Sequence, residues 1–100
     1  MAWAAHYIEK LKLGETVLFR PRGHSMNPKI KSGQLCTVAP VDAATLRVNE
    51  IVLCKVGGTD YLHLVKAIQG DRFQIGNNQG HINGWIRAGS LFGKLVGVED

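Results

Sequence analysis

Gly23-His24-Ser25-Met26-Asn27-Pro28 is the stretch around which the fold of this 100-residue chain is organised. It joins two strand-like runs, residues 16–20, which are rich in β-branched and aromatic side chains, and residues 35–38. Gly23 allows the first strand to end abruptly, and Pro28 fixes the path out of the turn. The stretch therefore predicts a sharp corner that presents Ser25, a position suited to a nucleophile. An ordinary turn between two strands explains the same residues.

Outward from this corner, the chain has the pattern of one short helix followed by strands. Residues 2–12 have helical periodicity, with Trp3, Tyr7, Ile8 and Leu11 on one face. Strands are predicted at residues 16–20, 35–38, 50–56, 61–69, 72–75, 85–86 and 91–98, with a polar loop at 77–84. The prediction is one mainly β (mixed α+β) domain, a compact, coiled, barrel-like antiparallel sheet. Its helix occupies residues 1–14 and its β core residues 15–100.

The charge of the chain is modest, and it excludes few partners. The net charge is +4, and one basic group, Arg20, Arg22, Lys29 and Lys31, flanks the Ser25 turn. This group either attracts an anionic partner or forms a solvated rim. We do not expect nucleic acid, because Phe19 is the only aromatic residue inside the group.

No targeting or cofactor signal stands out in the sequence. No apolar run approaches the roughly 18–20 residues of a membrane-spanning helix, so we expect a soluble, cytoplasmic protein without a membrane span. Cys36 and Cys54 fit no zinc or redox spacing and are interpreted as small buried hydrophobes, with a disulfide left open. We expect no metal and no cofactor.

Lys66 is the strongest candidate for a base that could activate Ser25. Period-2 alternation along residues 61–68 places Lys66 on an aliphatic stripe with Leu64 and Ile68. Burial lowers the pKa of a lysine, and a neutral amine can accept the proton of a serine hydroxyl. The alternative is that Lys66 is exposed or extends to the rim. His63, on the opposite face, and His24, adjacent to Ser25, are weaker candidates for the base.

Five short motifs, in order from residue 17 to residue 98, resemble those of type I signal peptidases and LexA-type self-cleaving repressors. They are Gly23-x-Ser25-Met26-x-Pro28 with Ile30-x-x-Gly33, Asn49-Glu50-Ile51-Val52, Leu64-Val65-Lys66-Ala67-Ile68, Ile75-Gly76-Asn77-Asn78 and the closing run at 91–98. The resemblance implies a Ser-Lys dyad in the coiled β core of that superfamily. Ser25 would be the nucleophile and Lys66 the general base.

The resemblance also assigns roles to four further residues. Met26 would line the substrate cleft, and Gly23 occupies the position at which many signal peptidases carry a hydroxyl donor for the oxyanion. Asn77 and Asn78 would support the lysine side of the site, although an aspartate is usual at the position of Asn77. The Ser25 backbone amide would bind the oxyanion.

The function expected from these residues is that of a soluble, stand-alone serine endopeptidase. It would hydrolyse an extended peptide segment, with small residues next to the cut, by acyl transfer through Ser25. Its partners would be a protein or peptide substrate and a separately encoded partner protein. The alternative is a catalytically weak or inactive module of the same fold that binds a partner peptide.

Overall fold

A computed structural model describes residues 3–100, which form one helix and a coiled antiparallel sheet. The elements are α1 (Ala5–Lys12), β1 (Val17–Phe19), β2 (Leu35–Pro40), β3 (Ile51–Val56), β4 (Thr59–Gln69), β5 (Arg72–Gly76), β6 (Ile82–Arg87) and β7 (Leu91–Glu99). The strands lie in the order β1-β2-β7-β3-β4-β5-β6. The expected mainly β architecture with one short helix is therefore confirmed.

The central strand β3 separates two apolar clusters on opposite faces of the sheet. Ile51 and Leu53 belong to one cluster, whereas Val52 and Cys54 belong to the other. All four side chains are buried, as the nearly continuous apolar run predicted. Both faces of the sheet are thus covered by apolar clusters.

Helix α1 covers the first of these clusters. Ile8 and Leu11 are its buried residues, and the helix packs against β1, β2 and β7. The face predicted from periodicity is therefore used within the molecule. Residue 2, where the sequence pattern placed the start of the helix, lies outside the described residues. Among residues 3–100, no helix is both long enough and apolar enough to cross a membrane.

Strands β3 and β4 form a tight hairpin through Gly57 and Gly58. Val56 pairs with Thr59 across these two residues. Both glycines have positive φ angles, 56° and 83°, which a two-residue hairpin turn of this hand requires. The predicted turn at Gly57-Gly58 is confirmed, and β4 begins two residues earlier than the sequence pattern indicated.

The predicted polar loop at residues 77–84 is shorter in the structure. Strand β6 begins at Ile82, which pairs with Gly76, and Gly84 pairs with Ile75, so Asn83 between them is the extra residue of a β-bulge. The cause is that backbone pairing with β5, not side-chain hydrophobicity, extends β6 to Ile82. As a result, Asn83 lies at a bulge within β6 rather than in a loop.

The two cysteines are free thiols on opposite faces of the sheet. Cys36 belongs to the cluster under α1 and Cys54 to the other cluster. Burial raises the pKa of the Cys36 thiol. Burial, and then the charge of Asp60, raise the pKa of Cys54 to about 12. Both thiols are therefore protonated at neutral pH, as expected of small buried hydrophobes.

Candidate active site

The corner that carries Ser25 is held by a set of short hydrogen bonds. Within the turn, the Ile30 amide donates to the Met26 carbonyl at 3.0 Å and the Asn27 amide to the His24 carbonyl at 3.1 Å. At its entrance, Gly23 has a φ angle of 116°, and its amide donates to the Ser32 hydroxyl at 3.1 Å. Gly23 therefore permits the sharp exit from β1 that the sequence predicted.

Ser25, His63 and Asn83 form a chain of side-chain hydrogen bonds. Ser25 Oγ lies 3.3 Å from His63 Nε2, and His63 Nδ1 lies 2.7 Å from Asn83 Oδ1. The amide oxygen of Asn83 can only accept, so Nδ1 carries the proton of the neutral imidazole and Nε2 is free to accept from the serine hydroxyl. This is the arrangement of a nucleophile, a base and a group that orients the base.

The surroundings of His63 favour its neutral form. Burial lowers the pKa of His63 below its ordinary value of 6.5, the hydrogen bond that His63 donates to Asn83 partly opposes this shift, and the charge of His81 lowers the pKa further. The ring of Tyr61 lies against the imidazole, with centroids 4.8 Å apart and planes inclined by 32°. An oriented, neutral imidazole thus faces Ser25 at neutral pH.

Ser25 and Lys66, which the sequence predicted to be nucleophile and base, are not hydrogen-bonded to each other in the structure. The side chain of Lys66 makes neither a hydrogen bond nor a salt bridge with residues 3–100. Val65 pairs with Ile75 and Ala67 with Gln74, so Lys66 is the extra residue of a β-bulge in β4. A bulge ends the simple period-2 alternation on which the prediction for Lys66 rested. The base candidate that contacts Ser25 is His63, three residues earlier on the same strand.

Asn77 and Asn78 support the serine side of the site rather than the lysine side. The Asn78 amide donates to the Ser25 carbonyl at 2.9 Å, and its side chain donates to the Asn27 carbonyl at 2.7 Å. The Asn77 side-chain oxygen accepts from the amides of Gln79 and His81, at 2.8 Å and 2.9 Å. Asn77 therefore closes the loop, and Asn78 ties the loop to the corner that carries Ser25.

The Ser25 amide is available to bind an oxyanion. It donates no hydrogen bond within the part of the chain that the structure describes, whereas the Gly23 amide is engaged by Ser32. Gly23 thus shapes the corner, but it has no side chain that could donate a hydrogen bond to an oxyanion, and its amide is bound to Ser32. Met26 is 5% exposed and lines the cleft beside Ser25, where the sequence placed it.

A cleft of about 730 Å³ extends from this chain of hydrogen bonds towards α1. Its apolar lining includes Trp3, Tyr7, Phe19, Met26, Ile30 and Leu62. One flank carries the cations Arg20, Arg22 and Lys31. Ser25, His63 and Asn83 also line the cleft, which is large enough to hold several residues of a ligand.

One wall of the cleft is an unpaired strand edge. Strand β4 pairs with β3 from Thr59 onwards, but its pairing with β5 begins only at Leu64. Because hydrogen-bonded pairs alternate from the hairpin, the N–H and C=O of Leu62 point away from β3. The indole Nε1 of Trp3 donates to the carbonyl of Asp60, at 3.0 Å, on that same open edge. An extended peptide could pair with the rest of it.

Sequence reasoning ranked His63 below Lys66 and gave no role to Asn83. The available signal at His63 was an imidazole inside a strand that is otherwise apolar and buried at Leu62, Leu64 and Val65. Asn83 offered no such signal, because it is one of several amides in a polar, glycine-rich stretch. Only the pairing of β6 with β5 shows where its side chain lies.

No protein-family model matches this chain, and no curated protein sequence matches it either. The functional interpretation therefore depends on the geometry of the cleft and on the residues that line it.

Proposed function

We propose that this protein is a serine peptidase in which Ser25 is the nucleophile, His63 the general base and Asn83 the residue that orients His63. The observation that carries the proposal is the continuous chain from Ser25 Oγ to His63 Nε2 and from His63 Nδ1 to Asn83 Oδ1, with lengths of 3.3 Å and 2.7 Å. All three residues of this chain line a cleft that is open to a ligand. Catalysis needs these three roles and no cofactor.

The reaction begins with attack by Ser25 on a peptide carbonyl. His63 accepts the Oγ proton as the new C–O bond forms, and the Ser25 amide stabilises the oxyanion of the tetrahedral intermediate. The imidazolium then gives its proton to the leaving amine, the C–N bond breaks and an acyl-enzyme remains. Water, deprotonated by His63, attacks the ester, and collapse of the second intermediate returns the proton to Ser25.

The substrate is an extended segment of polypeptide. Its backbone would pair with the open edge of β4 at Leu62, which lies one residue before His63. Pairing along this edge would bring a peptide carbonyl towards Ser25. The resemblance of the Ser25 motif to that of type I signal peptidases agrees with an extended substrate and implies small residues next to the cut.

The decisive experiment measures covalent labelling of Ser25 by a small fluorophosphonate probe. Wild-type protein should be labelled stoichiometrically at Ser25, and Ser25→Ala should not be labelled. His63→Gln should lower the labelling rate by about 10³-fold or more, as expected for loss of a general base in such a triad. Lys66→Met should retain the rate within about 3-fold, because the Lys66 side chain makes no hydrogen bond or salt bridge with residues 3–100 and methionine keeps most of its volume.

Two outcomes of this experiment would contradict the proposal. A labelling rate that is lost in Lys66→Met and kept in His63→Gln would show that Lys66, not His63, is the general base. Absence of labelling in folded wild-type protein would exclude a reactive serine, and peptide binding by the same protein would then favour the non-catalytic binding module. Circular dichroism of each variant shows that a lost rate is not a lost fold.

A further inference from the structure

Three cationic side chains converge at the turn around Gly33, on one flank of the cleft. Arg20 Nη1 donates to the Gly33 carbonyl at 2.8 Å. Arg22 Nη1 lies 3.9 Å from the position that a Cβ atom on Gly33 would occupy. Lys31 lies two residues before the same turn and also lines the cleft. We refer to Arg20, Arg22 and Lys31 as the basic wall.

The charge of the basic wall is not compensated within the described residues. None of its three members forms a salt bridge with residues 3–100. The one carboxylate that lines the cleft, Asp60, is buried and lies 2.9 Å from Lys55 Nζ. Asp100 is near the Gly33 turn, but its Oδ1 accepts a hydrogen bond from Gln34 and it does not line the cleft. The cleft therefore presents positive charge to a ligand.

The other walls of the cleft favour a peptide as that ligand. The open edge of β4 can pair with a polypeptide backbone, which nucleic acid does not offer. The rings of Trp3 and Tyr7 both pack on Phe19, with centroid distances of 5.5 Å and 4.6 Å, and form an apolar wall. Side chains of an extended peptide alternate in direction, so a peptide lying in the cleft can present an apolar and a polar group to different walls.

We propose that the basic wall selects a carboxylate of the peptide that occupies this cleft. The carboxylate is either an Asp or Glu side chain or the carboxyl terminus of the peptide. Guanidinium groups suit such a ligand because they donate two parallel hydrogen bonds to a carboxylate. The inference rests on the proposed function, since it names the substrate class of the same site, but its test does not depend on catalysis.

The test measures peptide binding by the fluorescence of Trp3 in protein that carries Ser25→Ala and Trp85→Phe. Trp3 lines the cleft, Trp85 does not, and the Ser25 substitution prevents turnover. The probes are short peptides of one apolar and small-residue sequence, with Glu, Gln or Lys scanned along it and with a free or amidated carboxyl terminus. A Glu peptide, or a peptide with a free terminus, should bind about 3–10-fold more tightly than its neutral counterpart at low salt. That advantage should shrink as salt is added.

A matched pair of variants separates the basic wall from the overall charge. Arg22→Gln with Lys31→Gln should abolish the preference for the charged peptide. Arg72→Gln with Arg87→Gln removes the same charge from paired positions on β5 and β6 that do not line the cleft. This control variant should keep the preference for the charged peptide. Arg22→Glu should shift the preference towards the Lys peptide.

The results also identify the source of the carboxylate and can overturn the inference. Loss of the preference on amidation alone assigns the ligand to the carboxyl terminus, whereas dependence on Glu assigns it to a side chain. Three outcomes would overturn the inference that the basic wall selects a carboxylate. They are equal binding of charged and neutral peptides, no binding of any peptide, and a preference for the charged peptide that persists in Arg22→Gln with Lys31→Gln. Failure of Ser25 to react with the fluorophosphonate would refute the peptidase and leave these binding results valid.

Discussion

At the scale of single residues, this candidate site is distinguished by Asn83, an amide at the position where a catalytic triad usually has a carboxylate bound to the histidine. Asn83 holds the His63 ring in the tautomer that faces Ser25, but it offers no negative charge to the imidazolium that forms during attack. Orientation and burial are therefore favourable, whereas stabilisation of the charged intermediate is limited. Under the proposed function, we therefore expect a slow enzyme.

Substitutions of Asn83 test both halves of that argument. Asn83→Ala leaves a buried N–H of His63 without its acceptor, which costs about 1–3 kcal/mol, and should lower the rate of Ser25 labelling about 10–100-fold. Asn83→Asp keeps the acceptor and adds a charge that raises the pKa of His63 and stabilises the imidazolium. It should retain or increase the rate at alkaline pH. An unchanged rate in Asn83→Ala would show that Asn83 does not orient the base.

The pH dependence of labelling identifies the base directly. His63 accepts a proton only when it is neutral, and its pKa is held below 6.5 by burial and by His81. The rate should therefore fall only as the pH drops through this lowered pKa, so its midpoint should lie below pH 6.5. His81→Gln removes a neighbouring charge and should move the midpoint to higher pH, whereas His6→Gln, on helix α1, should not. A midpoint in the alkaline range would indicate an amine as the base.

At the scale of elements, β4 explains both the success and the failure of sequence reasoning. Its position and direction follow from the Gly57-Gly58 turn and its β-branched and aliphatic content, and these were predicted to within two residues. The bulge at Lys66 was not predictable, because it depends on how β4 pairs with β5 and not on local composition. The Ser25 hydroxyl is hydrogen-bonded to His63, which precedes this bulge on β4. The period-2 pattern of the sequence does not indicate where such a register shift occurs.

The loop that follows β5 links the sheet to the Ser25 corner, and Gly76 sets its path. A Cβ atom at Gly76 would lie 2.5 Å from the His81 carbonyl oxygen and 3.1 Å from Lys66 Cε. Gly76→Ala should therefore lower the free energy of unfolding by about 1–3 kcal/mol, the usual effect of overpacking. Because Asn78 in this loop binds the Ser25 carbonyl, labelling of Ser25 should also slow.

Gly89→Ala is the matched control for this element. Its added methyl group would meet no atom within 4 Å, and its backbone needs no left-handed conformation. Chemical denaturation should show stability within about 0.5 kcal/mol of wild type for Gly89→Ala. Equal stability and equal labelling in Gly76→Ala would mean that the loop does not position the corner.

At the scale of the whole molecule, the candidate site is assembled from three separate parts of the chain. Ser25 comes from the connection after β1, His63 from β4 and Asn83 from β6, so the site exists only when the sheet coils. Sequence analysis could predict each strand, but the closeness of β4, β6 and the Ser25 corner is a property of the complete sheet. This is why Ser25 was identified from its own turn, whereas its partner was not.

Loss of core packing under helix α1 should also change the shape of the cleft. Leu11 is 3% exposed in the cluster under α1, and the segment that leads into this helix carries Trp3 to the open edge of β4. Leu11→Ala should lower the free energy of unfolding by about 2–4 kcal/mol through loss of buried apolar contacts. Leu13→Ala, at a residue that is 77% exposed, should change it by less than about 0.5 kcal/mol.

The two leucine variants should also differ in the cleft, because a loosened α1 can no longer hold Trp3 against Asp60. Trp3 fluorescence in the Trp85→Phe background should shift to longer wavelength in Leu11→Ala under conditions where the sheet remains folded, and Leu13→Ala should resemble the parent. A core that is destabilised without any change at Trp3 would show that the cleft is built by the sheet alone. A shift in Leu11→Ala would instead show that α1 is a structural wall of the cleft.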